Sequence, residues 1–197
     1  MSKRRDISDK LVHFTSGESE EEAFQRLRNI MEERRILGTS EKIRGGYKCV
    51  CFTEAPLTIL PGGLVNPDAY SRYRPFGIMV EKRWLFEKGG RPVIYQTDED
   101  FNILPEEIRW RHVRYEPNRD PPIDFTWERE WRIKCEFLTI APSYAGIVVL
   151  DEHWAQRMID EHETEQDFVV LQYSLILDED LAQQYREEFP WRISPLR

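Results

Sequence analysis

Glu128 and Glu130 are the residues best spaced for acid–base chemistry. They stand two apart in Phe125-Thr126-Trp127-Glu128-Arg129-Glu130-Trp131-Arg132-Ile133-Lys134-Cys135-Glu136-Phe137. Side chains alternate along a strand. At that period Trp127, Trp131, Ile133, Cys135 and Phe137 share one face, with Arg129 out of place, and Glu128, Glu130, Arg132, Lys134 and Glu136 share the other. The stretch is therefore expected to be a half-buried strand, with its two carboxylates roughly 7 Å apart along one charged face. Carboxylates that close oppose each other's ionisation, so the proton affinity of one rises. Facing a cleft, such a pair does acid–base work; facing water, it makes ordinary cross-strand ion pairs.

Three other residues carry chemistry. His13 interrupts an apolar run, Leu11-Val12-His13-Phe14, and alternation puts it with Leu11 and Thr15. It is either a site residue or a histidine satisfied by a backbone carbonyl. Thr53 ends the run Tyr47–Thr53, as a site hydroxyl or a turn cap. Arg74 precedes Pro75, as a surface arginine or a pyrophosphate contact whose guanidinium engages phosphate oxygens bidentately.

Other chemistries find no motif. There is no phosphate-binding glycine loop and no G-x-S-x-G elbow. His13, His112, His153 and His162 lack metal-ligand spacing. Cys49-Val50-Cys51 is C-x-C inside an apolar run rather than a zinc knuckle, and with Cys135 the cysteine count is odd, so no metal site and no disulfide framework is expected. A net charge of -8 argues against non-specific nucleic-acid binding, though a local basic patch would still suit a nucleic-acid substrate. The N-terminus is basic without the apolar stretch of a signal peptide, and no run is long enough to span a membrane, so a reducing cytoplasm is expected.

These residues need elements to hold them. Lys10–Thr15 reads as a strand and Ser19 with Glu22 as a capping box, opening a helix with Phe24, Leu27, Ile30 and Met31 on one stripe and Gly38 at its end. Tyr47–Thr53, Phe76–Val80, Pro92–Tyr95 and Gly146–Leu150 read as strands. Leu57–Pro75 reads as a long loop and Glu81–Lys88 as a short helix; Thr97–Arg111 is ambiguous around Pro105. Asp151–His162 reads as a helix, Phe168–Leu171 and Tyr173–Leu177 as the last strands, and Asp178–Phe189 as a terminal helix. At 197 residues without repeat or linker, this predicts one α+β domain, 1–197, with a mostly antiparallel sheet.

Taken together, Leu11-Val12-His13-Phe14-Thr15, Val50-Cys51-Phe52-Thr53-Glu54-Ala55-Pro56, Phe76–Trp84, Gly90-Arg91-Pro92-Val93-Ile94-Tyr95 and Glu128-Arg129-Glu130-Trp131-Arg132 resemble the AbiGi-type abortive phage-infection proteins over roughly the first two-thirds of the chain. More distantly they are similar to ADP-ribosyltransferases. That resemblance implies a split sheet flanked by helices, and NAD as co-substrate. It implies glycosyltransferase activity on a protein or nucleic-acid acceptor, in antiviral defence or as a toxin, with an antitoxin among the candidate partners. It also implies Glu130 as the catalytic glutamate with Glu128 two before it, and a cofactor-binding set of His13, Phe14, Thr15, Phe52 and Thr53. His13 is the first-strand residue and Thr53 the second-strand hydroxyl. Phe14 departs from the glycine that many relatives carry there, and Thr53 stands alone where others have Ser-Thr-Ser. Two further classes stay open: a non-catalytic interaction or sensor domain of a phage-defence system, and a metal-dependent hydrolase or nuclease built on Glu128 and Glu130.

Overall fold

The computed structural model describes residues 8–54 and 73–197. The first strand, β1 (Lys10–Ser16), turns into helix α1 (Glu20–Glu33). Ser19 accepts from the Glu22 N–H at 3.1 Å, and the Glu22 carboxylate accepts from the Glu18 N–H at 2.8 Å, so the capping pair satisfies amides at the helix start. Arg74 braces the same turn, donating to the Gly17 and Glu18 carbonyls at 3.2 and 2.9 Å. The helix ends at Arg34, in the left-handed region at φ 50°, and not at Gly38. Gly38 has a different reason to be glycine: a side-chain carbon there would collide with the Cys135 carbonyl.

Strands β2 (Arg35–Leu37), β3 (Cys49–Thr53) and β4 (Tyr73–Glu81) follow, then helix α2 (Lys82–Glu87). The expected loop over Leu57–Pro75 lies outside the described residues up to position 72, and Pro75 itself sits within β4. Next come β5 (Arg91–Pro92), β6 (Ile94–Gln96), β7 (His112–Arg114), β8 (Glu130–Lys134), β9 (Phe137–Thr139) and β10 (Ala145–Val149). The chain closes with α3 (Glu152–Ser174), α4 (Glu179–Gln183) and β11 (Arg192–Pro195). Between β6 and β7, Pro105 does not break a helix but starts a 3-10 turn over Glu106–Arg111, where its missing N–H has no intrahelical partner to lose.

The main sheet has seven strands in the order β11-β10-β4-β1-β3-β8-β5. Only β10 and β11 run parallel in it, so the chain is α+β with a mostly antiparallel sheet. β1 pairs with β4 at six positions but with β3 at one, Val12–Thr53. The sheet is thus two ribbons joined at that pair. Leu11, Phe52, Phe76, Ile78, Trp131 and Ile147 face α1 and α3, where Phe24, Leu27, Ala155 and Met158 complete the core. Val12, Met79 and Val148 face the other way, and Cys49 and Cys51 pack there against Ile43 and Trp110.

Three expected elements are corrected. Phe125–Phe137 is not one strand: Thr126–Glu128 form a 3-10 turn, Arg129 is left-handed at φ 45°, and β8 begins at Glu130. The expected strands over Phe168–Leu177 are mostly the far end of α3, which runs 23 residues. The expected helix over Asp178–Phe189 shrinks to the five residues of α4. Asp151 caps α3 by accepting from the Trp154 N–H at 3.1 Å. Trp154 then packs on Phe24 and Phe76, each at 4.9 Å between ring centroids, so the cap fixes the helix start against the core. Asp151→Ala is expected to lower stability by about 1 kcal/mol, read as a lower midpoint in chemical denaturation; an unchanged midpoint would show the cap to be redundant.

Candidate active site

The acid pair sits at the start of β8, at one end of the second ribbon, where β8 lies between β3 and β5. Thr53 and Glu130 are cross-strand partners on the face opposite α1 and α3. The Thr53 hydroxyl donates to the Glu128 carbonyl at 2.5 Å, and the Glu54 N–H donates to the Arg129 carbonyl at 3.3 Å. The end of β3 therefore holds the turn that precedes Glu130 and keeps a non-glycine residue left-handed there. From the other side, the Glu130 N–H donates to the Tyr95 hydroxyl at 3.1 Å, and its carbonyl accepts from Val93 at 3.0 Å.

Glu130 does not stand on a solvated charged face. Arg132 donates to both its oxygens, at 2.7 and 3.1 Å, and also to the carbonyls of Trp110 and His112 at 3.1 and 2.9 Å. The two side chains are 6% and 11% exposed, so this is a buried bidentate ion pair. Burial disfavours the Arg132 charge, but Glu130 outweighs it and holds the guanidinium pKa above its ordinary value. The spacing of Glu130 and Arg132 on one strand face was the available signal; it is the expected face that turns out to be covered.

Glu128 is half-buried, and its carboxyl pKa is pushed up to about 7 by burial first and by the Glu130 charge second. Lys42 and Arg132 pull the other way, less strongly. One carboxylate is thus clamped by a guanidinium, while its neighbour exchanges a proton near neutral pH. The direction follows the close-carboxylate argument, but the geometry is a turn against a strand, not two positions along one strand. Exposed Phe125 precedes the turn and exposed Trp127 lies within it.

The remaining expected site residues are not gathered with the pair. His13 is on the α1 and α3 face: it pairs across β1–β4 with Ile78, and its ring packs edge-on against Phe52 at 5.8 Å. Its Nδ1 bonds the Cys51 carbonyl at 2.8 Å. A carbonyl only accepts, so Nδ1 carries the hydrogen. Burial lowers the imidazole pKa, and the Cys51 carbonyl offsets part of that. A side chain thus bridges β1 and β3 where backbone pairing has stopped. Phe52 is a core residue at 2% exposure. Thr15 is buried, its hydroxyl given to the Ala23 and Phe76 carbonyls at 2.9 and 3.1 Å. Phe14 packs half-buried beside Val12, Met79 and Val148 on the opposite face. The Thr15 hydroxyl and the Phe52 ring, both expected to bind cofactor, are thus engaged inside the protein.

Glu54 joins this framework without any local signal in the sequence. It accepts from the Trp131 indole N–H at 2.8 Å and from Lys82 at 2.6 Å, tying β3 to β8 and to α2. The three thiols are free, and burial raises each pKa, that of Cys49 to about 11, so none is an activated nucleophile. Among the described residues, no group of three or more His, Cys, Asp or Glu side chains is placed to hold a metal ion, and no helix is long and apolar enough to cross a membrane. Comparison with protein-family models, curated proteins and solved structures found no match to this chain.

Proposed function

We propose that this chain is an ADP-ribosyltransferase-like enzyme that cleaves NAD and transfers ADP-ribose to a macromolecule, protein or nucleic acid, in phage defence or as a toxin. The observation that carries the proposal is the acid pair: a guanidinium-clamped Glu130 beside a Glu128 that titrates near neutral pH, both held by Thr53. Cleaving a nicotinamide–ribose bond builds positive charge on the sugar, as glycoside cleavage does. The bonding electrons leave with nicotinamide and neutralise its ring. A fixed carboxylate at that carbon stabilises the charge most in the transition state, which suits Glu130. The acceptor's nucleophile loses a proton as it attacks, which suits Glu128, whose pKa lies near the working pH. The proposal rests on Thr53, Glu128 and Glu130, and assigns no ribose contact to His13.

A non-catalytic interaction domain is the second candidate. What favours it is the placement of His13, Thr15 and Phe52 on or inside the helix-covered face, away from the acid pair.

Incubation with labelled NAD, with and without cell extract, separates the two. The enzyme should release nicotinamide and leave label on material that either protease or nuclease removes, which also names the acceptor class. Glu128→Gln should lower that rate by about 100-fold or more while the protein stays folded. Neither nicotinamide release nor NAD binding under any condition would leave the interaction domain standing.

A further inference from the structure

The far half of α3 turns an apolar stripe to solvent. Phe168, Leu171 and Leu175, the last being the residue after the helix, are 60%, 59% and 80% exposed. They recur at spacings of three and four, so they lie on one side. The buried residues of the same helix, Ala155, Met158 and Val170, lie on the other. Ile176 and Leu181, 78% and 43% exposed, continue the apolar surface past the helix end. An amphipathic surface helix keeps its outer face polar; here that face is apolar for two turns, and contiguous exposed apolar surface of this kind marks an interaction site.

The charge around the stripe is one-sided. From Asp160 to Glu188 the chain has ten carboxylates and one cation, Arg186; Arg28 of α1 reaches in from outside that stretch and pairs with Glu161 and Glu165, which leaves the surroundings net acidic. Arg186 is itself engaged by Glu163 and Asp167, on the side of α3 that meets α4. Glu179 and Asp180 open α4 beside the exposed Leu181. A second copy of this chain would bring a matching acidic rim against this one, and like charges across an interface oppose association. A partner with a cationic rim meets no such penalty.

We propose that this face of α3 is the docking site for an amphipathic helix of another protein, with apolar anchors at three- and four-residue spacing flanked by Lys or Arg. Helix-on-helix seating of this sort places a few apolar anchors centrally, and a charged rim sets orientation and partner choice. The surface is independent of the acid pair, and its occupancy does not require NAD chemistry.

The test uses the full chain and two synthetic helices with leucines at three- and four-residue spacing, one with lysines at all other positions and one with glutamates. Binding is read by fluorescence anisotropy at low and high salt. The lysine peptide should bind, more weakly as salt rises, and the glutamate peptide should not. Phe168→Ser with Leu171→Ser should weaken the lysine peptide by about 10-fold or more. Both sites are exposed, so the variant should keep its circular dichroism spectrum and thermal midpoint. Three results overturn the proposal. Neither peptide binds; or the lysine peptide binds the double variant equally well, which reduces the effect to general acidity; or sedimentation shows a dimer that the double variant abolishes, which makes the face a self-interface.

Discussion

Glu130→Gln should destabilise the protein by about 3–5 kcal/mol, because it breaks a buried ion pair from one side. Arg132 is 6% exposed and never loses its proton in proteins. With Gln at position 130 it keeps its bonds to the Trp110 and His112 carbonyls, but the carboxylate that gripped it is gone and only the Glu128 charge still reaches it. At about 2–4 °C per kcal/mol for a chain of this size, the thermal midpoint should fall by roughly 10 °C. Arg132→Met combined with Glu130→Gln should recover most of the loss, since Met fills the space of the arginine stem without a charge to bury. A single variant that melts with the parent would show that water reaches the pair. The consequence for assays is direct: lost turnover in Glu130→Gln alone mixes chemistry with unfolding. The rate should be read in the double variant, at a temperature where it and the parent are both fully folded.

The strands that frame the site were legible because their apolar runs are continuous. Leu11 and Val12, Cys49 to Phe52, and Ile147 to Val149 are buried or nearly so on both faces of a sheet. What failed was the span around the acid pair. No glycine marks the left-handed position at Arg129; it is imposed by Thr53 and Glu54, some 75 residues earlier in the chain. Local propensity carries no trace of such a contact. Glu-x-Glu-x-Arg alternation read as a solvated face because the covering layer, Trp110 to His112, comes from a separate segment of 3-10 turns and short strands. Phe168-Val169-Val170-Leu171 read as a strand because its β-branched and aromatic residues favour one. As a helix it breaks the amphipathic rule, and that break is what exposes the stripe on α3. β11 was missed for the opposite reason: its short segment contains a proline and pairs in parallel with β10, more than forty residues away.

Glu128→Gln should stabilise the protein, and only above about pH 5. The carboxyl has an ordinary pKa of 4.5 and a folded one of about 7. Its folded-state value is raised, so the folded protein binds the proton more tightly than the unfolded chain does. Well below pH 4.5 the group is protonated in both states and the native state has the full benefit. Between 4.5 and 7 the unfolded chain releases the proton first, and stability falls as pH rises. Above 7 both states are ionised and the loss is complete. At about 1.4 kcal/mol per pKa unit, the loss is on the order of 3 kcal/mol. Gln keeps the shape of the protonated acid and does not titrate. The variant should therefore match the parent near pH 4, draw ahead of it through pH 6, and exceed it at pH 8 by on the order of 3 kcal/mol. Other groups titrate in the same range, so the quantity to follow is the difference between variant and parent in urea midpoints across pH. A flat difference from pH 5 to 8 would mean that Glu128 is as well solvated as a surface carboxylate, and the acid–base role proposed for it would go with that result. A rising difference, paired with lost NAD turnover in the same variant, would locate in one residue both a cost to stability and the proton exchange that the chemistry needs.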